Sequence, residues 1–198
     1  MPSEKLARLR RCRQAQQRAV MALGEVLLAW ALHDEYGVVA DRGDRREGER
    51  GKPFLEGHGG IRFNLSHSGA YVLAGIDWAP VGVDIQIRGC DDERLARKVM
   101  PACAFAAWLE APDRAAAFCD FWARRECELK WWGIGIGGLG RTDLSLPEGV
   151  GIGMVESPPG YSAAACGASI RGRSSLLPVH EVAPDDLLAW ANAKRVAP

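Results

Sequence analysis

Residues 122–130 read WARRECELK, and this stretch decides more of the fold and its chemistry than any other. Trp122, Glu126 and Lys130 recur every four residues, a spacing that places them on one stripe of an α-helix. A Glu four residues before a Lys is also an ordinary stabilising pair, so the stripe alone leaves a structural and a functional interpretation open. The stretch therefore predicts a helix that presents a carboxylate and an ammonium on the same side.

Residues 81–87 read VGVDIQI and alternate aliphatic residues with others, as a β-strand does. The aliphatic residues share one face, while Asp84 and Gln86 share the opposite face, about 6.6 Å apart along the strand. This second face either lines a cleft or is the polar side of an edge strand. A carboxylate on a strand, another on a helix and a nearby ammonium together suit a magnesium-bound pyrophosphate.

The chain has 198 residues, about half of them apolar and a quarter charged, which suits one large globular domain or two small ones. Its net charge is zero, which gives no support to general nucleic-acid or membrane-surface binding. Basic residues nevertheless concentrate in the first predicted helix, which presents either a solvated face or a phosphate site. They are Lys5, Arg8, Arg10, Arg11, Arg13 and Arg18.

The six cysteines form no Cys-x-x-Cys pair, and none lies near a histidine at zinc spacing. This pattern favours reduced thiols and a cytoplasmic location. The sequence shows neither a signal peptide nor an apolar run long enough to span a bilayer, so we expect no membrane partner.

The hydrophobic periodicity predicts an α+β fold. A helix followed by strands occurs in each half of the chain, so the pattern allows two similar α+β units. The predicted boundary separates residues 1–79 from residues 80–198. The predicted helices cover residues 6–33, 92–100, 114–132 and 185–194. The predicted strands cover residues 63–67, 71–76, 81–87, 144–146, 151–155, 161–166 and 179–182. The strand at 71–76 is nearly all apolar, so we expect it to be buried on both faces.

Two further motifs are less specific. Residues 135–140 match the Gly-x-Gly-x-x-Gly string, but they follow a predicted helix, so a loop is favoured over a nicotinamide- or nucleotide-binding turn. His67 lies between Ser66 and Ser68 at the end of a predicted strand, where it is either a structural residue or a hydrogen-bond partner for phosphate. Asn64 occupies the first glycine position of a Gly-x-Ser-x-Gly elbow, which argues against a serine hydrolase.

Three segments resemble, in order and spacing, the signature motifs of the 4′-phosphopantetheinyl transferases. They are residues 63–68 (FNLSHS), 82–85 (GVDI) and 121–130 (FWARRECELK). The resemblance is to the monomeric, surfactin-synthetase-activating type, and it covers most of the chain. It implies a pseudo-dimer of two α+β halves, with coenzyme A and magnesium bound between them.

The resemblance also implies roles for the residues of the two central motifs. Asp84 and Glu126 would bind the metal, and Glu126 would also be the general base. Lys130 would contact the phosphates of coenzyme A and stabilise the charge that builds up there. Gln86 stands where this type usually has a third acid, so its neutral amide oxygen is the predicted third metal ligand, or a water takes that place.

Five more residues would hold coenzyme A by the same resemblance. Lys52, Ser66 and His67 correspond to residues at its 3′-phosphate end. Lys5 and Arg8 align with a basic pair on the first helix that does similar work. The chain begins without the strand that usually precedes this helix in the family, so we expect a less complete first sheet.

The implied reaction moves 4′-phosphopantetheine from coenzyme A to a serine of an acyl or peptidyl carrier protein and releases adenosine 3′,5′-bisphosphate. We expect a magnesium-dependent, cytoplasmic, monomeric enzyme with no nucleic-acid partner. Carrier proteins are acidic, and the expected docking surface includes Cys103, Phe105 and Trp108, although plain core residues are the alternative interpretation. The competing hypothesis is a non-catalytic relative that binds coenzyme A or a carrier protein.

Overall fold

The computed structural model describes residues 15–39, 44–48, 52–139, 144–172 and 176–196, and it confirms the α+β class. Among these residues, no helix has the length and apolar character needed to cross a membrane. The helices are α1 (Ala15–Tyr36), α2 (Glu93–Val99), α3 (Ala102–Leu109), α4 (Arg114–Trp132) and α5 (Pro184–Val196). The strands are β1 (Arg45–Glu47), β2 (Pro53–Leu55), β3 (Arg62–Ser68), β4 (Tyr71–Asp77), β5 (Val81–Ile87), β6 (Gly151–Val155) and β7 (Tyr161–Gly167).

The first sheet has the strand order β1-β2-β3-β4, with every neighbouring pair antiparallel. Helix α1 covers one face of this sheet, where Leu28 and Leu32 pack in a cluster with Phe63 of β3. Side chains alternate along a strand, so Asn64 and Ser66 lie on the opposite face and point toward the second sheet. The first sheet is therefore a layer between α1 and the second sheet.

The second sheet has the antiparallel order β5-β7-β6. Val81, Val83 and Ile85 form an aliphatic cluster with residues of β6 and β7, which confirms the predicted alternation in β5. The opposite face carries Asp84 and lies against α4, where Cys127 packs on β7. The polar face of β5 is thus covered by a helix.

The two sheets divide the chain close to the predicted boundary. β4 ends at Asp77 and β5 begins at Val81, and no strand in the described ranges belongs to both sheets. The division into residues 1–79 and 80–198, and the relation of the two parts as a pseudo-dimer, stay predictions.

Several local predictions were wrong. Residues 144–146 and 179–182 form no strand, because the apolar residues there find no partner strand along their length; a single parallel bridge joins Val155 to Leu177 instead. β4 is not buried on both faces, because it is the last strand of its sheet and its residues remain partly exposed. Periodicity also failed to indicate α3 and the short strands β1 and β2, since these segments are brief or uniformly apolar.

Helix α4 approaches β5 most closely at Gly82. A Cβ atom at this position would overlap the carbonyl oxygen of Cys127 and would lie 2.6 Å from the backbone nitrogen of Trp131. Both are backbone atoms, so no rotation of a side chain could relieve the overlap. The missing side chain of Gly82 thus allows the contact that brings Asp84, two residues later, against the helix.

We expect Gly82→Ala to destabilise the protein by about 2–3 kcal/mol, because α4 must move away from β5 to admit the methyl group. Urea unfolding followed by circular dichroism measures this change. Gly89→Ala is the matched control: an added Cβ there meets nothing within 4 Å, so the change should stay within about 0.5 kcal/mol. Equal stabilities of the two variants would contradict the close packing.

Candidate active site

Helix α4 supplies two of the candidate residues, and its ends are defined by its own sequence. Asp113 caps the first turn by accepting a hydrogen bond from the backbone nitrogen of Ala116 at 2.9 Å. Gly133 ends the helix with a φ of 72°, a conformation that glycine adopts readily. Both boundaries confirm the prediction. Glu126 and Lys130 lie one turn apart within this helix, on the side that faces β5.

Asp84 is 1% exposed and lies at the centre of a hydrogen-bonded cluster. Its Oδ1 accepts from Lys130 Nζ at 2.5 Å and from Ser66 Oγ at 2.7 Å. Lys130 Nζ also donates to Ser66 Oγ at 2.8 Å and to the carbonyl oxygen of Val83 at 3.2 Å. An ammonium has three donors, so all those of Lys130 are used inside the protein. Lys130 thus neutralises Asp84 directly and would act on a nearby phosphate through its charge.

Glu126 is buried, and its Oε1 has no hydrogen-bond partner among the described residues. Burial raises the pKa of this carboxyl above its usual value; the charge of Asp84 raises it further, and the ammonium of Lys130 opposes both effects. The two carboxyl groups therefore lie within electrostatic range of each other. A buried carboxylate oxygen without a donor is unfavourable, and a bound cation would remove that penalty.

Gln86 lies beside Asp84 and donates its amide Nε2 to Asp84 Oδ2 at 3.1 Å. The structure thus turns the amide nitrogen of Gln86 toward the carboxylate, whereas the predicted role uses the amide oxygen. This hydrogen bond holds the second oxygen of Asp84. A place for Gln86 among the ligands of a metal stays a prediction.

The donor atoms suit one hard divalent cation. Asp84 and Glu126 offer carboxylate oxygens, and magnesium commonly takes only one or two of these because it keeps waters and binds substrate phosphates. No group of three or more His, Cys, Asp or Glu residues gathers as metal ligands in the part of the chain that the structure describes. A closed zinc-type cage is therefore excluded there. The residues present fit a magnesium ion, with the unpartnered Oε1 of Glu126 as the main structural reason.

Lys52, the residue before β2, reaches the same region. Its Nζ donates to the carbonyl oxygen of Val81 on β5 at 2.7 Å and to that of Trp131 in the last turn of α4 at 3.1 Å. Burial lowers the pKa of this ammonium to about 8. Lys52 thus ties β5 to α4, and a contact with phosphate would have to use its third donor.

The remaining predicted residues lie apart from this cluster. His67 is exposed and points away from Ser66, because neighbouring side chains of a strand alternate between its faces. Trp122 shares its stripe of α4 with Glu126 but packs in a separate apolar cluster, so it does not join the site. Lys5 and Arg8 lie outside the described residues.

Sequence reasoning missed two residues that shape the site. Asn64 Oδ1 accepts from the backbone nitrogen of Val83 at 2.8 Å, and Ser68 Oγ accepts from that of Ile87 at 3.0 Å. The available signal was the row of an amide and two hydroxyls at alternate positions of β3. Such a row on one face of a strand indicates that this face bonds to another element.

The glycine-rich residues 135–139 take no part in the cluster, and Gly140 lies outside the described residues. They follow α4, as predicted, and residues 136–138 form a single 3₁₀ turn. The guanidinium of Arg125 holds this segment through the carbonyl oxygen of Gly138 at 3.5 Å. A string that follows a helix rather than a strand lacks the context of a dinucleotide-binding turn.

The cluster as a whole supports phosphoryl transfer. Two carboxylates can hold a divalent cation, and a carboxylate can accept a proton as a general base. The cation and the ammonium can stabilise negative charge on phosphate oxygens next to these buried carboxylates. These are the groups that a transferring phosphoryl centre requires.

Comparison with known proteins agrees with this chemistry. Residues 80–151, from β5 through α4, match the family described as the 4′-phosphopantetheinyl transferase superfamily. The chain is 31% identical to the 4′-phosphopantetheinyl transferase psf-1 of Bacillus pumilus, over 73% of this chain and 69% of that protein. It is 26% identical to Sfp of Bacillus subtilis, over 83% and 81%. It is 32% identical to AcpT of Salmonella typhi, over 72% and 73%.

We expect Glu126→Gln to stabilise the metal-free protein at pH 7. The folded-state pKa of Glu126 is raised above its usual 4.5, so its contribution to stability is complete below that value and is lost as the pH rises through the folded-state pKa. Glutamine does not ionise, so the variant keeps its stability as the pH rises. The melting temperature of the variant in EDTA should therefore exceed that of the wild type at pH 7, and the difference should vanish near about pH 4.

Glu128→Gln is the control for this measurement. Glu128 lies on the same helix, but its carboxylate pairs with Arg125 at 2.6 Å. Removing that charge should leave the melting temperature at pH 7 unchanged or lower. A Glu126→Gln protein that melts at or below the wild-type temperature at pH 7 would show that burial of this carboxylate carries no penalty.

Proposed function

The chain belongs to the 4′-phosphopantetheinyl transferase superfamily, and on this premise we propose that it is a transferase of the surfactin-synthetase-activating type that modifies carrier proteins. It transfers 4′-phosphopantetheine from coenzyme A to a serine of an acyl or peptidyl carrier protein and releases adenosine 3′,5′-bisphosphate. The observation that carries this proposal is the cluster in which Asp84 contacts Lys130 and interacts electrostatically with Glu126.

Magnesium is the proposed cofactor, and Asp84 and Glu126 are its proposed ligands. When bound, the ion supplies positive charge that neutralises the pyrophosphate of coenzyme A. Asp84 is oriented for this task by hydrogen bonds from Ser66 and Gln86 to its two oxygens. Gln86 contributes an amide where a third acid usually stands in the family, which leaves the site with one less negative charge.

Glu126 is the proposed general base. Its carboxylate accepts the proton of the carrier serine, directly or through a water. The serine oxygen bonds to the phosphorus that carries the pantetheine arm. The bond from this phosphorus to the bridging oxygen breaks, and its electrons leave with adenosine 3′,5′-bisphosphate.

Lys130 and a set of outer residues are proposed to bind coenzyme A. The ammonium of Lys130 lies beside Asp84 and stabilises charge on the pyrophosphate. His67, exposed on β3, is proposed to hold the 3′-phosphate end, together with Lys52 and the basic pair Lys5 and Arg8. The support for these assignments is their place in the signature motifs.

Helix α3 offers a docking surface for an acidic carrier protein. Cys103 is exposed, and the guanidinium of Arg97 lies 4.5 Å from the ring centre of Phe105. Arg97 also pairs with Glu93 at 2.7 Å, so the apolar surface of α3 rather than free positive charge supports this proposal. Trp108, in contrast, is buried and donates its indole nitrogen to the carbonyl oxygen of Arg114, so it belongs to the core.

A second candidate function is non-catalytic binding of coenzyme A or a carrier protein. The amide of Gln86 in place of an acid favours it, since fewer charges would bind the metal more weakly. Calorimetric titration with coenzyme A, run beside a transfer assay, separates the two. Binding without transfer would support this second candidate.

We expect Asp84→Asn and Glu126→Ala each to lower the rate of pantetheine transfer at least about 100-fold, because each removes a charge needed to hold the metal. The assay follows a labelled pantetheine arm from coenzyme A onto apo carrier proteins in the presence of magnesium. Asn keeps the shape of Asp84 and leaves no cavity, but it removes the charge that pairs with Lys130, so the folding of this variant is checked as well.

Two controls accompany this assay. Circular dichroism shows whether each variant is folded, and Glu128→Ala changes an acid of the same helix that pairs with Arg125. The Glu128 variant should retain transfer within a few-fold. Wild-type rates for Asp84→Asn or Glu126→Ala would rule out the metal-binding role of the residue concerned.

We expect Gln86→Glu to lower the magnesium concentration needed for half-maximal transfer. A carboxylate at position 86 would stand beside Asp84 and add a negative charge where the cation binds. Gln86→Ala, which adds no charge, should not lower this concentration. A requirement that is unchanged or higher in Gln86→Glu would place residue 86 away from the ion.

A further inference from the structure

An apolar cavity of about 210 Å³ lies between α1, β4, the second sheet and α5. Aliphatic side chains from all of these elements line it: Leu27 of α1, Leu73 of β4, Ile85 of β5, Ala163 of β7 and Leu187 of α5. Ile85 and Asp84 are neighbours on β5, so their side chains point to opposite faces of the strand. The cavity is therefore separate from the candidate active site.

The size and lining of the cavity suit a small organic molecule rather than water. An apolar cavity of about 150 Å³ stays dry and binds benzene, so this larger one suits about eight non-hydrogen atoms. Water would find few hydrogen-bond partners among aliphatic walls, and an empty cavity forfeits the contacts that its walls could make. An aliphatic chain would make those contacts and would bury apolar surface of its own.

The exposed rim of the cavity is acidic. Glu156, directly after β6, and Glu181, shortly before α5, both line it, and both are exposed. Neither carboxylate has an ion pair with another described residue. His180 also lines the rim, but it pairs with Glu35 at 3.1 Å, and the described lining contains no lysine or arginine. Negative charge at the mouth of an apolar cavity favours a ligand whose chain ends in a cation.

We propose that this cavity binds a small amphipathic cation, an aliphatic chain of about seven carbons that ends in an ammonium group. The chain lies among the leucine, isoleucine and alanine side chains, and the ammonium reaches the carboxylates of Glu156 and Glu181. This inference does not depend on the proposed function, because the cavity and Asp84 lie on opposite faces of β5.

The first experiment compares n-heptylammonium, as the probe, with heptan-1-ol and heptanoate, which have the same chain length. Calorimetric titration should show saturable binding of heptylammonium in the millimolar range or below. Its affinity should exceed that of heptan-1-ol about fivefold, and heptanoate should bind most weakly. Absence of saturable binding, or a carboxylate that binds as tightly as the amine, would overturn the proposal.

Coenzyme A distinguishes the cavity from the candidate active site. Heptylammonium should bind equally well to the protein with and without coenzyme A, since the two sites lie on opposite faces of β5. Displacement of the probe by coenzyme A would place it in the active site, and the proposal would then be wrong.

A variant that combines Glu156→Gln with Glu181→Gln tests the charge of the rim. It should lose the preference for the amine over the alcohol, while its affinity for heptan-1-ol stays unchanged. Glu148→Gln is the matched control: Glu148 is an exposed glutamate outside the lining, 3.6 Å from Arg171, so this variant should keep the preference. A double variant that still prefers the amine would contradict the assigned cationic end.

A second pair of variants tests the location of the chain. Leu27→Phe puts a larger side chain into the lining and should weaken both heptylammonium and heptan-1-ol about tenfold. Leu188→Phe adds the same ring to α5 at a half-exposed position outside the lining, so it should bind both as the wild type does. Circular dichroism checks that each variant is folded. Equal binding by the two variants would place the probe outside the cavity and would overturn the proposal.

Discussion

The side-chain bonds along the outer edge of β5 are the interaction on which the site depends. Asn64, Ser66 and Ser68 accept from its N–H groups, and Lys52 and Lys130 donate to its carbonyl groups. Unpaired backbone groups at a buried edge would be strongly unfavourable, so β3 and β5 meet in the one register that pairs them. The candidate active site lies at this junction and takes its geometry from it.

Close packing on the other side of β5 completes the junction. Gly82 leaves space for the backbone of α4 at Cys127, which brings the helix near enough for Lys130 to reach Asp84. The same packing buries Glu126. Charges in such a low-dielectric place interact strongly, which is why the charge of Asp84 reaches the Glu126 carboxyl and why a divalent cation suits the pair.

The site draws on both sheets. Asp84 comes from the second sheet, and Glu126 and Lys130 come from the helix packed on it. Ser66 reaches in from the first sheet, and Lys52 from the residue before β2. The second sheet and its helix thus carry the groups proposed for metal binding and proton transfer. The contribution of the first sheet to this cluster is positional, through hydrogen bonds to those groups and to the backbone that carries them.

Much of this could be predicted from sequence, because periodicity along one element is a local property. The sequence by itself determined the α+β class, the strand at 81–87, the helix ending at Gly133 and the facing of Glu126 and Lys130 on one stripe. Only the tertiary structure decided their partners: Ser66 bonds Asp84 across 18 residues of sequence, and Lys52 bonds Trp131 across 79. Such contacts depend on how distant segments pack, and the local spacing of residues does not encode that packing. For the same reason, the apolar segments at 144–146 and 179–182 had the pattern of strands but have no strand to pair with.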